Sequence, residues 1–197
     1  MLYESLLFLE GQLNKYFGKL HEENESIGSS PVKLENIAAL KDTDLEGADN
    51  IFVTLVNISE ETTLKNVPNF RRENDTTVYK NPPVYLNLYI LFSVCIHGAY
   101  DKALMHLSYL IKFFQAKNTF THKNSATTAF GEGVAFKLIM DLYSPTFEQA
   151  NYLWSTLGGK QYPFALYKMR LLEIEKDAIT EKRGLITEIS LADQPTL

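Results

Sequence analysis

Residues 81–95 read NPPVYLNLYILFSVC, and the fold turns on how this stretch is read. Pro82 and Pro83 cannot donate backbone hydrogen bonds and hold Asn81 extended, so they close a loop and deliver the chain into a regular element. From there the side chains alternate. Val84, Leu86, Leu88, Ile90, Phe92 and Val94 fall on one wholly apolar face, and Tyr85, Asn87, Tyr89, Leu91, Ser93 and Cys95 fall on the other. A helix is the alternative for so apolar a run, but the β-branched and aromatic content and the period of two predict a strand. Its first face belongs against a core. Its second, amphipathic and aromatic, suits a partly covered sheet surface or a subunit contact.

Upstream, residues 51–58 (IFVTLVNI) predict a second strand, apolar at nearly every position and therefore expected centrally in the sheet. Between the two strands residues 60–80 are polar, with Glu60-Glu61, Arg71-Arg72-Glu73 and Asn74-Asp75 in succession. So long a connection predicts a functional excursion or a projecting hairpin, with the strand from Val84 as its return. Further back, residues 41–50 are acidic and turn-rich, Val32-Lys33-Leu34 is a short strand, and residues 22–30 are a solvated loop. Leu2, Leu6, Leu9, Leu13, Phe17 and Leu20 recur at helical spacing and predict an amphipathic helix over residues 1–22.

Downstream, Gly98 ends the strand and Asp101 is placed to cap a helix running to about Gln115. Tyr100, Leu104, Leu107, Ile111 and Phe114 form its expected buried stripe. Residues 118–132 read as a mobile loop and residues 134–143 as a strand. Ser144-Pro145 predicts a helix start, serine as cap and proline as first helical residue, with Phe147, Ala150, Trp154 and Leu157 buried and Gly158-Gly159 as the stop. Residues 162–174 and 184–191 read as the last strands. The sum is an α+β single domain over residues 1–191, with a flexible tail at 192–197. Its sheet is mixed and mainly antiparallel, with about three helices packed on one face.

A chain of 197 residues, 45% of them hydrophobic, is long enough to bury a core. A formal charge of −5 and a pI near 5.4 exclude the lysine and arginine surplus that nucleic-acid binding requires. One cysteine predicts no internal disulfide. Glu4 and Glu10 interrupt the apolar N-terminal stretch, so no secretory signal is expected. Nor does any apolar run predict membrane insertion, and folding in the cytoplasm is the expectation.

Catalytic signatures are sparse. Cys95 and His97 stand two apart, the beginning of a nucleophilic pair, but spacing supplies no third group and the cysteine reads as core near a strand end. His21, His97, His106 and His122 form no ligand pattern, so no metal and no cofactor is expected. Gly131-Glu132-Gly133 has Phe136 where a dinucleotide fingerprint needs its third glycine, and Gly158-Gly159-Lys160 follows a helix instead of a strand; both read as turns. Asn57-Ile58-Ser59 and Asn74-Asp75-Thr76 match the glycosylation acceptor, without consequence absent secretion.

Taken as a set, these residues resemble a known family. IFVTLVNISEE at 51–61, Thr63-Leu64-Lys65-Asn66, Asn69-Phe70-Arg71-Arg72 and VYKNPPVYLNLYILF at 78–92 are similar to the tail-terminator or cap proteins of phage-tail-like contractile injection systems. ALMHLSYLIKFFQ at 103–115 and LWSTLGGKQYPFALYKMR at 153–170 extend the likeness to nearly the whole chain. The family includes caps of extracellular toxin-delivery and anti-feeding particles. The resemblance implies a non-enzymatic homo-hexameric ring that ends inner-tube polymerisation and anchors the last sheath ring. Its partners would be the inner-tube protein, the sheath protein and related cap proteins. It would assemble in the cytoplasm and end as part of a released or membrane-anchored particle.

A ring of identical subunits needs heterologous surfaces, and the interface candidates follow. They are Asn69, Arg71, Arg72, Glu73 and Tyr79 in the polar excursion, Tyr85 and Tyr89 on the second strand face, and Leu185, Ile186 and Ile189 near the C-terminus. Arg71 and Arg72 are expected to meet carboxylates of the tube or of a neighbour, and the terminal strand to add to a sheath subunit's sheet edge. Two rival readings are a monomeric adaptor or assembly chaperone using Tyr85, Tyr89 and Leu91, and a small enzyme with a dispersed site.

Overall fold

The computed structural model describes residues 2–24, 27, 31–61, 70–73, 76–80, 85–125, 129–130, 136–172 and 179–184. In chain order the elements are α1 (Leu2–Glu23), β1 (Val32–Leu34), a 3-10 turn (Ile37–Ala39), α2 (Asp42–Glu46), β2 (Asp49–Glu60), β3 (Phe70–Glu73), β4 (Thr76–Lys80), β5 (Leu86–Ile96), α3 (Tyr100–Ala116), β6 (Thr119–Thr121), β7 (Lys137–Tyr143), α4 (Phe147–Thr156), β8 (Phe164–Leu172) and β9 (Ile179–Gly184).

The strand predicted from the double proline is β5, and the larger sheet is built on it in the order β1-β2-β5-β8-β7-β6. It pairs antiparallel with β2 from Asp49↔Ile96 to Glu60↔Leu86, and with β8 from Leu86↔Leu171 to Ser93↔Phe164. The central strands are therefore β5 and β8. β2, expected at the centre, lies one place in from the edge, because only the three residues of β1 pair outside it, parallel, at Ile51, Phe52 and Val53. α1 pins that short strand: Asn14 donates to Val32 O and accepts from Val32 N, both at 2.9 Å, and Glu10 Oε1 accepts from Leu34 N at 3.2 Å.

Leu88, Ile90, Phe92 and Val94 join α1 and α3 in the larger core, as the period of two required. Leu9, Leu13 and Phe17 of α1 have no solvent exposure, and burial of each is worth about 1.5–3 kcal/mol. Phe8 lies 5.6 Å, 5.8 Å and 5.3 Å from Phe120, Phe130 and Phe136. Residues 118–132, read as a mobile loop, thus contain an edge strand and two buried aromatic anchors. Lys117 Nζ ties the turn beyond β6 with bonds to Asn124 O at 2.8 Å and Ser125 Oγ at 2.9 Å.

The buried stripe of α3 is rotated from the expected one. Ala103, His106, Leu110 and Phe114 face the core, whereas Tyr100, 69% exposed, Leu104 and Ile111 face outward. His106 is the cause. Its Nδ1 donates to Lys102 O at 2.9 Å and its ring stacks on Phe17 at 5.7 Å, so a residue counted as polar occupies a core position. Nor does Asp101 cap the helix: Ala99 holds the cap position without a side-chain bond, and Asp101 lies in the first turn, where its charge meets the positive end of the helix dipole.

Helices cover both sheet faces, not one. Phe52, Leu91, Cys95 and Leu166 on the second face pack with Ile37, Ala48 and Trp154, contributed by the 3-10 turn, the residues around α2 and α4. The segment expected to be only turns therefore holds a fourth, short helix. α4 begins two residues later than Ser144-Pro145 suggests. Thr146 is the cap, accepting from Gln149 N at 3.2 Å, while Gln149 Oε1 accepts from Thr146 N at 3.0 Å. The shift turns Phe147 out to 97% exposure and leaves Trp154 as the buried anchor. Gly158 and Gly159, at φ +107° and +82°, end the helix, with Gly159 N donating to Trp154 O at 2.7 Å.

The excursion is a hairpin, as one of the two readings had it, and more. β3 and β4 pair antiparallel and β4 also pairs with β9, giving a second sheet in the order β3-β4-β9. Each of its strands adjoins in sequence one of β2, β5 and β8, so the arm repeats the order of the three neighbouring body strands. The sequence reading placed the last strand at 184–191; β9 ends at Gly184, and residues 185–191 lie outside the described residues.

Candidate interaction surfaces

Nothing in the described structure assembles a reaction centre. Burial pushes the Cys95 thiol up to about 12, so it stays protonated at neutral pH, and His97 lies exposed beyond the end of β5. Among the described residues no group of histidine, cysteine and carboxylate side chains could hold a metal ion. Gly158-Gly159 is the turn expected, and Gly131-Glu132-Gly133 lies outside the described residues.

The second sheet face divides in two. Helices cover its Phe52-Leu91-Leu166 half, while the half toward Leu86 carries Tyr89, Asp141, Lys168 and Arg170, all partly exposed, with Tyr143 at the boundary beside Leu166. Arg170 donates from Nη2 at 2.8 Å and from Nε at 3.1 Å to Asp141 Oδ2. Lys168 Nζ lies 3.6 Å from Glu61 Oε2, which also accepts from Asn87 Nδ2 at 3.1 Å. Tyr89 meets Tyr143 edge to face at 5.4 Å. Asn87, 4% exposed, has no hydrogen-bond partner for Oδ1 among the described residues. The rigid rings and the charge pairs make a patterned surface, and pairs this exposed are worth no more than about 1 kcal/mol each in the monomer.

Of the predicted interface residues, Tyr85 and Tyr89 belong to this half-covered side of the sheet. Arg71, Arg72, Glu73 and Tyr79 are in the arm. Arg71 is opposite Val78, which is opposite Lys182; Arg72 is opposite Thr77, which is opposite Arg183. The described arm carries Arg71, Arg72, Lys80, Lys182 and Arg183 against Glu73 and Glu181, a basic projection from a chain of net charge −5. Asn69, Leu185, Ile186 and Ile189 lie outside the described residues.

Sequence reasoning missed Asp141, Tyr143, Lys168 and Arg170, although the alternation of Lys168 and Arg170 with Tyr167, Met169 and Leu171 was there to be read. It also missed a groove of about 570 Å³ between the 3-10 turn, β2 and α4, lined by Ala38, Leu55, Val56, Tyr152, Leu153 and Leu157 among others. Residues so far apart in the chain leave no local pattern. Tyr152, 71% exposed, stands at its rim.

A family model described as "Pvc16 N-terminal domain" matches residues 7–188. No curated protein sequence matches the chain. Among solved structures, the sheath/tube terminator of an extracellular contractile injection system, PVC, in its extended state, superposes with a TM-score of 0.58 at 12% identity, covering 100% of this chain and 64% of that one. The tube-terminating cap of the anti-feeding prophage gives a TM-score of 0.45 at 13% identity over 83% of this chain and 54% of its own. The first likeness is one of fold, and this chain spans 64% of that terminator's length.

Proposed function

We propose that this chain, which belongs to the Pvc16 N-terminal domain family, is a structural terminator of a contractile injection system. It closes the end of the inner tube and receives the last sheath ring, as a homo-hexameric ring that works by shape and contact instead of catalysis. The family match over residues 7–188 carries the reading, and the fold of a sheath/tube terminator supports it. The partners are further copies of the chain, the inner-tube protein, the sheath protein and related caps. Assembly takes place in the cytoplasm, and the chain then belongs to the particle. The working unit is residues 1–191, with 192–197 as a tail.

The surfaces fit the role chemically. A closed ring needs two different patches that meet head to tail. A basic arm on an acidic chain, and a half-covered sheet face with Tyr85 and Tyr89, supply two patches of unlike character. Arg71 and Arg72 pair with carboxylates of the tube or of a neighbouring copy, with Asn69, Glu73 and Tyr79 beside them. Leu185, Ile186 and Ile189 provide a strand for edge pairing.

An epitope tag on this chain, imaged by immunogold electron microscopy on assembled particles, tests the assignment. Label at one end of the tube, where the sheath stops, is the expected result. Label along the length of the particle, or none on it, contradicts it.

A further inference from the structure

We infer that residues 185–191 of one copy add as a strand to the open edge of β2 in a second copy, seating apolar side chains in the groove beneath α4. This rests on the self-assembly part of the proposed function and gives the terminal strand a second copy as its acceptor, in place of the sheath edge expected from the sequence.

The acceptor is visible in β2. Its outer edge is bonded by β1 only along Ile51, Phe52 and Val53, with Ile51 N donating to Pro31 O at 2.7 Å. Then the neighbouring chain leaves: Thr54 Oγ1 donates to Glu35 O at 2.7 Å and accepts from Ile37 N at 3.1 Å, turning the residues after β1 over the second face. Beside residues 55–59 no described strand takes its place. The register shift between Leu55 and Asn57 leaves Val56 as the bulge residue, in the lining of the groove. The Ile58 N–H is held by its neighbour's Asn57 Oδ1 at 2.9 Å, a local cap that an incoming carbonyl replaces, and Ile58 itself is exposed. Edge and groove thus combine main-chain bonding groups with an apolar slot, the two components of strand addition.

The donor has a suitable sequence pattern and a suitable starting point. In Leu185-Ile186-Thr187-Glu188-Ile189-Ser190-Leu191 an extended chain places Leu185, Thr187, Ile189 and Leu191 on one side, mostly apolar, and Ile186, Glu188 and Ser190 on the other, mostly polar. It leaves from Gly184, which pairs with Thr76 at the start of β4. That is the end of the arm opposite the one where β4 runs on toward β5, so the segment starts at the end directed away from its own chain's return to the body. Its seven residues extended span roughly 23 Å, ample for an edge of residues 55–59 at roughly 17 Å. A ring closed in this way has each copy giving one strand and accepting one, a heterologous contact.

The test uses full-length chains. Ile189→Cys and Val56→Cys are made separately, with Thr156→Cys on the groove-facing side of α4 as a second acceptor; the native Cys95 is buried. Equimolar mixtures are treated with a short bismaleimide, and thermal denaturation shows that each variant is folded. The donor variant is expected to couple to each acceptor variant in mixed dimers, and deletion of residues 185–197 to weaken self-association by roughly tenfold or more, as several main-chain bonds and the groove contact are lost. Mixed dimers absent at concentrations up to those of assembled particles, or self-association unchanged by the deletion, overturns the inference. None of these results depends on where the particle carries the chain.

Discussion

Gly184 is paired with Thr76, so the last described strand ends beside the start of β4 and the arm is closed by a segment that pairs with β4 across 99 to 108 residues of sequence. The arm's positive excess comes from Arg71, Arg72, Lys80, Lys182 and Arg183 against Glu73 and Glu181. Arg71→Glu with Arg72→Glu is expected to abolish ring assembly or tube binding, measured by analytical ultracentrifugation with and without tube protein, with thermal denaturation showing that the variant is folded. Retained assembly would remove the arm from the interface.

His106 is a second point of leverage. Burial lowers its affinity for protons below the ordinary 6.5, and Nε2 has no hydrogen-bond partner among the described residues. Lys102 and Asp49, bonded to each other at 2.6 Å, are the charged groups that act on it. The folded chain thus holds the proton more weakly than the unfolded one. Stability is full above about pH 6.5 and falls as pH drops below it, by at most about 1.4 kcal/mol per pH unit from this group. Urea denaturation at pH 7.5 and pH 5 is expected to show that loss in the native chain and less of it in His106→Leu. An identical acid loss in both would place its origin elsewhere.

Trp154 anchors α4 to the sheet, 5.4 Å from Phe164 and 6.1 Å from Tyr162. Trp154→Ala is expected to cost about 3–5 kcal/mol, the range for emptying a buried aromatic site. Exposed Phe147, on the same helix, is expected to tolerate alanine with less than about 0.5 kcal/mol change. Equal effects at the two positions would mean that the helix face is wrongly assigned.

The start of α4 gives a finer discrimination. Thr146→Ala removes a reciprocal cap and is expected to cost about 1 kcal/mol, whereas Ser144→Ala, two residues earlier, is expected to cost nothing measurable. Thermal denaturation of the two variants separates the assignments.

The reasons for what could and could not be read in advance are physical. β5, β2 and α1 were legible because exclusion of water from a core imposes periods of 2 and 3.6, and Leu88 to Val94 and Leu6 to Phe17 keep those periods without interruption. The face of α3 was not, since His106 satisfies Nδ1 locally and takes a core position ordinarily filled by an apolar residue. The α4 boundary hinged on Gln149, three residues past Thr146, reaching back to the cap. β9, ITEKRG, has no apolar alternation; its pairing with β4 is a long-range choice with no local signature. The groove under α4 likewise exists only after the turn, β2 and the helix have met.

The length of the inner tube in particles assembled without this chain tests the central claim most directly. Electron micrographs are expected to show a broad distribution of tube lengths, tubes running beyond the last sheath ring, and sheaths unfastened at that end. A narrow distribution at the normal length, with sheaths held at both ends, would contradict a terminator role.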